Sequence, residues 1–379
     1  MEQKNEFVKL ALRSKISMAE LCRRYGISRP TGYKWIKRYK EEGIIGLKER
    51  SRRPLNSPTR TDASLEKLIV KLRTQDPAWG AKKLHKIIEN DITSNIGPVK
   101  ELPCRSTVHR ILKRKGLIEP HKSERATPYI RFEREAPNEL WQMDYKGYFK
   151  TLDGKRCDPL TVTDDHSRFN IILQACSDQR GSTVEQTLTD AFRRYGMPLG
   201  ILCDNGAPWG SMAMKTMYGQ RSYSYIEKWL MTLNVKVTHG RPYHPQTQGK
   251  EERFHRTLKE EVLLRYRFAS LEQVQNRFDK WRNKYNHHRP HEAIDLETPS
   301  KRYAPSNNTY PELGIPFEYD QKEIVRKVDT TGRIRYKSNK IRMGKAFIGD
   351  WLALKPTSQD GEIQVYFRNY PIRTISLKV

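Results

Sequence analysis

Three acidic residues stand in settings where an acid is costly to place. Asp144 falls inside the apolar run Leu140-Trp141-Gln142-Met143-Asp144. Asp204 closes Gly200-Ile201-Leu202-Cys203 and precedes Asn205-Gly206. Glu252 opens a helical stretch after His244-Pro245-Gln246-Thr247-Gln248-Gly249. A carboxylate in an apolar strand is expensive to bury unless it is paired or metal-bound. Clustered carboxylates repel one another unless cations neutralise them, and hard oxygen ligands select Mg²⁺, with Mn²⁺ as a substitute. Two such ions per site, about 3.5–4 Å apart, can activate an attacking oxygen and stabilise a leaving one, which is in-line displacement at phosphorus. Asp204 taken alone reads equally well as an Asp-Asn-Gly turn. The three acids taken together point to a site.

Glu251 and Glu252 compete for the third position. Adjacent helical residues point about 100° apart, so only one of them can face the aspartates. Glu252 shares a face with Arg256 and Lys259, which either hold phosphates or form a solvated basic surface. Glu251 falls at the edge of the apolar stripe of Phe254, Leu258 and Val262. It is expected there as a surface-type charge beside a base. Trp209, just after Asp204, has two open readings: stacking on a base or closing the core.

The elements that must carry these acids can be read from periodicity. Val, Ile, Thr and aromatic runs predict strands at about 140–150, 157–165 and 169–177. A helix over about 182–195 ends at Gly196 and Pro198. A strand at 200–203, a helix near 224–233, a strand near 235–238 and helices over about 248–265 and 271–286 follow. Three strands and then alternating helices and strands is the ribonuclease-H-like order of an α/β domain, assigned to 139–304. Adjacent strands would then bring Asp144 and Asp204 together, with Glu252 laid beside them from a helix. His287, His288 and His291 are expected to pack and cap the end of the last helix.

The flanks are basic. The chain carries 71 Lys plus Arg against 44 Asp plus Glu, a net charge of +27, of which residues 1–125 contribute +16. Such an excess attracts a polyanion, here nucleic acid. Residues 1–50 read as a helix-turn-helix unit. Ser17 caps one helix with Glu20 as its capping-box partner, Gly26 turns the chain, and Ser28 caps a second helix with Pro30 in its first turn. Arg29, Thr31, Lys34 and Arg38 lie on that second helix, the element that enters a major groove, while Trp35, Ile36 and Tyr39 can pack inward. Residues 51–62 form a basic linker whose Arg52 and Arg53 can follow a phosphate backbone. Residues 63–120 read as a second helical, helix-turn-helix-like domain, with Arg110 on its third helix. A linker over 121–138 follows. Beyond the α/β domain, 305–323 is Pro-containing linker and 324–379 is expected to be a small β-barrel, with Asp360-Gly361 as a hairpin turn. The whole is multidomain: all-α modules, an α/β core and a β module.

The segments Trp141-Gln142-Met143-Asp144, Cys203-Asp204-Asn205-Gly206, Tyr243 to Arg253, Tyr285-Asn286-His287-His288-Arg289-Pro290-His291 and Thr298-Pro299 resemble the integrase-type catalytic core shared by retroviral integrases and bacterial insertion-sequence transposases. The resemblance covers roughly 139–303. It implies that Asp144 and Asp204 hold metal and that Glu252, directly before Arg253-Phe254, completes the set. It implies nicking of double-stranded DNA at the terminal inverted repeats of a mobile element, then attack of the freed 3′-hydroxyl on target DNA. Bringing two ends together implies a homo-oligomer, at least a dimer. Two departures stand out. The stretch between Asp204 and Glu252 is longer than is common in that family, with the surplus placed in 207–224 as a loop over the site or as a neutral insertion. The His/His/Cys/Cys zinc module of retroviral integrases has no counterpart.

Five cysteines without C-x-x-C spacing argue against a disulfide framework and against a cysteine zinc site. No apolar stretch reaches membrane-spanning length and the N-terminus lacks a signal-peptide core, so no membrane partner is expected. A bacterial cytoplasmic, nucleoid-associated protein is the expectation.

Overall fold

The computed structural model describes residues 1–13, 15–50, 61–94, 101–118, 133–209, 222–240 and 249–377. The chain divides into two compact units, 1–62 and 63–379.

The first unit holds α1 (Glu2–Arg13), α2 (Met18–Arg24) and α3 (Arg29–Glu42). Phe7, Val8, Leu21, Cys22 and Leu47 form its core, with Trp35, Ile36 and Tyr39 packed against them. Ser17 and Ser28 cap α2 and α3 by accepting the amides of Glu20 and Thr31. Gly26 makes the turn at φ +62°, which a side chain would resist. Gly32 lets α3 approach closely, since a Cβ there would meet Cys22 Sγ and Phe7 Cζ at 2.9 Å.

The second unit begins with α4 (Ala63–Gln75), α5 (Ala81–Thr93) and α6 (Arg105–Arg114), closed around Leu65, Ile69, Trp79, Leu84, Ile88, Val108, Ile111 and Leu112. These helices are docked on the α/β domain. Lys284 Nζ binds both oxygens of Asp76 at 2.6 and 2.7 Å, and the Trp79 indole donates to Glu261 at 3.2 Å. Of the linker expected over 121–138, residues up to 132 lie outside the described residues. The remainder is tied down, with the amides of Arg134 and Asn138 donating to Asp165 and Asp164.

The central sheet comprises β1 (Trp141–Tyr145), β2 (Phe149–Lys150), β3 (Arg156–Asp164), β4 (Asn170–Cys176), β5 (Gly200–Cys203) and β6 (Lys236–His239). Strand β3 pairs antiparallel with β1, β2 and β4, while β1, β5 and β6 run parallel. Helices α7 (Gly181–Tyr195), α8 (Tyr225–Thr232), α9 (Gly249–Leu258), α10 (Leu271–His287) and α11 (Pro299–Arg302) complete the domain. Two apolar clusters flank the sheet, one holding Trp141, Leu160, Val184 and Phe192, the other Leu173, Phe254, Phe278 and Trp281. The helix expected over 248–265 is not continuous. After Leu258 it widens into a π turn over Lys259–Leu263, which buries Val262 in the core and turns Glu261 toward Trp79, Trp281 and Arg289.

Residues expected as linker strap the core: the Met197 amide donates to Asn308 O, and the Ser306 amide to Tyr195 O. The C-terminal strands are β7 (Ile324–Lys327), β8 (Arg333–Tyr336), β9 (Asn339–Arg342), β10 (Trp351–Pro356), β11 (Glu362–Phe367) and β12 (Tyr370–Ser376). They form a four-stranded antiparallel sheet, β12-β11-β10-β7, and a separate hairpin, β8-β9. Both enclose one core through Ile334, Ile341, Leu352, Val365 and Phe367. Among the described residues the backbone pairing does not close these strands into a ring.

Candidate active site

Strand register brings the two aspartates side by side. Parallel pairing of β1 with β5 sets Trp141 opposite Ile201 and Gln142 opposite Leu202. Asp144 and Asp204 each stand two residues beyond the last of these pairs, at the same ends of the neighbouring strands. Asp144 Oδ1 accepts the Tyr145 amide at 2.8 Å. Asp204 Oδ1 accepts the Gly206 amide at 3.0 Å and the Trp209 indole at 2.5 Å. Trp209 is 1% exposed and stacks on Tyr145 at 5.1 Å, so of its two readings the core-closing one holds. Behind Asp204, His239 Nδ1 contacts the Asp204 carbonyl at 2.7 Å while its Nε2 contacts the buried Glu227 at 2.8 Å.

Helix α9 brings the third acid. Glu252 is exposed on it, as are Arg256 and, just beyond, Lys259. Burial, then the charges of Asp204 and Glu252, push the Asp144 carboxyl up to about 7. The three acids therefore share one electrostatic neighbourhood. Lys146 is held below the usual lysine value by burial and by Lys259, against the pull of Asp144. A cation pair thus borders the acids, and Lys146 is a member that the sequence pattern did not single out.

Glu251 is not the surface charge expected from the helix pattern. It is wholly buried, and its carboxyl group contacts the hydroxyls of Thr161, at 2.9 Å, and Thr163. Thr161 Oγ1 also lies 2.9 Å from the Asp144 carbonyl and 2.8 Å from His255 Nε2. A hydroxyl has one proton and two lone pairs. All three contacts are satisfied when Thr161 donates to Asp144 O and accepts from a neutral Glu251 acid and from His255 Nε2–H. Burial drives both groups that way: it pushes Glu251 up to about 8 and, aided by Lys146, His255 down to about 3. The signal was present in the sequence as i, i+4 spacing of Glu251 and His255 and i, i+2 spacing of Thr161 and Thr163.

Asp144, Asp204 and Glu252 offer oxygen donors, the kind that a hard divalent cation takes. Among the described residues no three His, Cys, Asp or Glu side chains stand close enough together to ligate one ion. Asp204 Oδ1 is turned onto Trp209 and Gly206.

The other predicted contacts are scattered. Arg29 and Lys34 are exposed on α3, Arg38 is half-buried there, and Thr31 Oγ1 is engaged with Ser28 Oγ at 2.9 Å. Arg110 is exposed on α6. Arg52, Arg53, residues 210–221 of the long loop and the segment 241–248 lie outside the described residues. His291 packs edge-on against Tyr285 at 4.5 Å, and His287 lies edge-on to Phe169 at 6.1 Å.

Residues 134–245 and 233–299 match two integrase core domain families. The central domain is an integrase core. On either side of the integrase core, residues 3–54 match a helix-turn-helix domain, 31–112 a homeodomain-like domain, and 323–379 the C-terminal domain of the IS481 family transposases. The chain is 23% identical over 299 residues to a protein of insertion element IS407 from Burkholderia multivorans, covering 77% of this chain and 92% of that protein. It is 25% identical to the transposase for transposon Tn552 from Staphylococcus aureus, covering 97% and 81%. Among solved structures, the HTLV-2 integrase catalytic core domain in complex with magnesium is 17% identical, covers 44% of this chain and 97% of its own, and aligns with a TM-score of 0.33. The chain is related to the insertion-element transposases through its integrase core. No helix among the described residues is long and apolar enough to cross a membrane.

Proposed function

We propose that this protein is a DNA transposase that binds the ends of a mobile element, nicks them and joins the freed 3′ ends to target DNA. One observation supports the reading: β1 and β5 pair in parallel, Trp141 opposite Ile201 and Gln142 opposite Leu202, and Asp144 and Asp204 each follow two residues on. Asp144, Asp204 and Glu252 would hold Mg²⁺, or Mn²⁺ in its place, with two ions per site. Asp204 would have to turn from Trp209 to join the set. Bound ions would activate the attacking oxygen and stabilise the leaving one. Lys146 and Lys259 lie beside the acids, and these two with Arg256 would hold phosphates of the DNA end. Arg29, Lys34 and Arg38 on α3 would read the terminal repeat in the major groove, and Arg52, Arg53 and Arg110 would add backbone contacts. Synapsis of two ends calls for at least a dimer, and a bacterial nucleoid is the fitting location.

The test is a Mg²⁺-dependent assay with labelled element ends and a supercoiled target. Joined products support the reading. Cleaved products alone would indicate a nuclease, and DNA binding without any product would indicate a regulator.

A further inference from the structure

We propose that Glu251, together with Thr161 and Thr163, is a positioning brace that fixes α9, and with it Glu252, against the strand bearing Asp144; this deepens the metal-site reading above and rests on it. The two threonines are spaced i, i+2 on β3, so their hydroxyls lie on one face of the sheet. Thr161 pairs with Asp144 and Thr163 with Gln142 in the antiparallel register. One Glu251 oxygen meets each hydroxyl. The Thr161 hydroxyl also meets the main-chain carbonyl of Asp144 at 2.9 Å. A single hydroxyl therefore touches both the strand of the first aspartate and the helix of the glutamate.

One helical turn further on, His255 Nε2 reaches the same hydroxyl at 2.8 Å. Helix α9 is thus held at residues 251 and 255, one turn apart on its inner face. Glu252 projects about 100° away from Glu251. A slip of one residue would move the helix by about 1.5 Å and rotate it by about 100°, and it would break these directional contacts. Apolar packing of Phe254 and Leu258 alone is not directional in this way. A displacement near 1 Å is enough to cost a catalytic arrangement about a hundredfold. The brace consists of hydrogen bonds from position 251 to two hydroxyls. Gln can hydrogen-bond to hydroxyls, and Leu, at similar volume, cannot.

The experiment uses the full chain as native protein, Glu251→Gln, Glu251→Leu, Thr161→Val and, as reference, Asp144→Asn. Half-saturating Mg²⁺ is read in two ways: from the Mg²⁺-dependent rise in thermal midpoint, which reports binding without turnover, and from strand joining. We expect Glu251→Leu and Thr161→Val to need at least tenfold more Mg²⁺ by both readouts, and Glu251→Gln to stay within threefold of the native protein. Should Glu251→Leu fail to fold, the volume-conserving Thr161→Val carries the comparison. Native midpoints in the Leu and Val variants would overturn the brace. So would a Glu251→Gln variant as impaired as Glu251→Leu, because charge and not hydrogen bonding would then be what matters. A native protein without any Mg²⁺ response, beside an Asp144→Asn variant that still joins DNA, would instead bring down the metal-site reading and the brace with it.

Discussion

Lys83 should weaken the native protein at neutral pH, and replacing it should strengthen it. The residue lies on α5 and is 7% exposed. Burial, then the Arg289 guanidinium, push its ammonium down to about 8, against the pull of Glu261 and Glu292. An unfolded lysine titrates near about 10.4. Between these values the unfolded chain holds the proton and the folded chain does not, so stability rises as pH climbs from about 8 to about 10.4. Below pH 8 the ammonium is present in both states and its cost is constant. At about 1.4 kcal/mol for each tenfold change in proton affinity, that cost is about 3 kcal/mol. Lys83→Met keeps the aliphatic stem and removes the charge. It should raise stability at pH 7 by up to about 3 kcal/mol, with the advantage gone by about pH 10.5. Lys83→Arg keeps its charge throughout and should lack the rise in stability above pH 8. Denaturant unfolding of the three proteins at pH 7 and pH 10 reads the difference between each variant and the native chain, in which other titrating groups cancel. A Lys83→Met variant no more stable than native at pH 7, or an advantage unchanged at pH 10, would refute the reasoning.

Three further outcomes follow from the site and its supports. Asp204→Asn should keep the fold and DNA binding while cleavage and joining fall to background; near-native strand transfer from the purified variant would remove Asp204 from the site. Replacing Arg29, Lys34 and Arg38 together by Ala should weaken binding to element ends and flatten its salt dependence by about 0.9 in log–log slope for each phosphate that is no longer neutralised, and a gel-shift series from low to high salt that matches the native slope would count against α3 as the reading helix. Glu261→Leu leaves the buried Arg289 guanidinium and the indole N–H groups of Trp79 and Trp281 without their acceptor. It should cost about 3–5 kcal/mol in denaturant unfolding, and a loss below about 1 kcal/mol would show that the hub contributes little.

How far the sequence foretells this molecule depends on how local each cause is. The aspartates were legible because strand periodicity places them: apolar runs at 140–143 and 200–203 each end on an acid, and parallel pairing of neighbouring strands brings those ends level. Helices α2 and α3 were legible because Ser17, Ser28, Pro30 and Gly26 act within one turn of where they stand. Glu251 was misjudged because its partners come from elsewhere. By helical pattern it borders the apolar stripe and suits solvent, yet Thr161 and Thr163, on a strand about 90 residues earlier, supply hydroxyls that make its burial tolerable. The break in α9 has the same kind of cause. The pattern of Leu258, Val262 and Leu263 supports an unbroken helix, but Glu261 is drawn inward by two indoles and a guanidinium from α10, its C-terminal loop and the α4–α5 turn. Polar groups are buried where distant partners satisfy them, and one-dimensional periodicity carries no record of such partners. Glu251 and Glu261 both lie on or just after the helix that presents Glu252. The residues least legible in the sequence are thus the ones that hold the proposed third ligand in place, because anchoring a helix against a sheet and a neighbouring module is a long-range task.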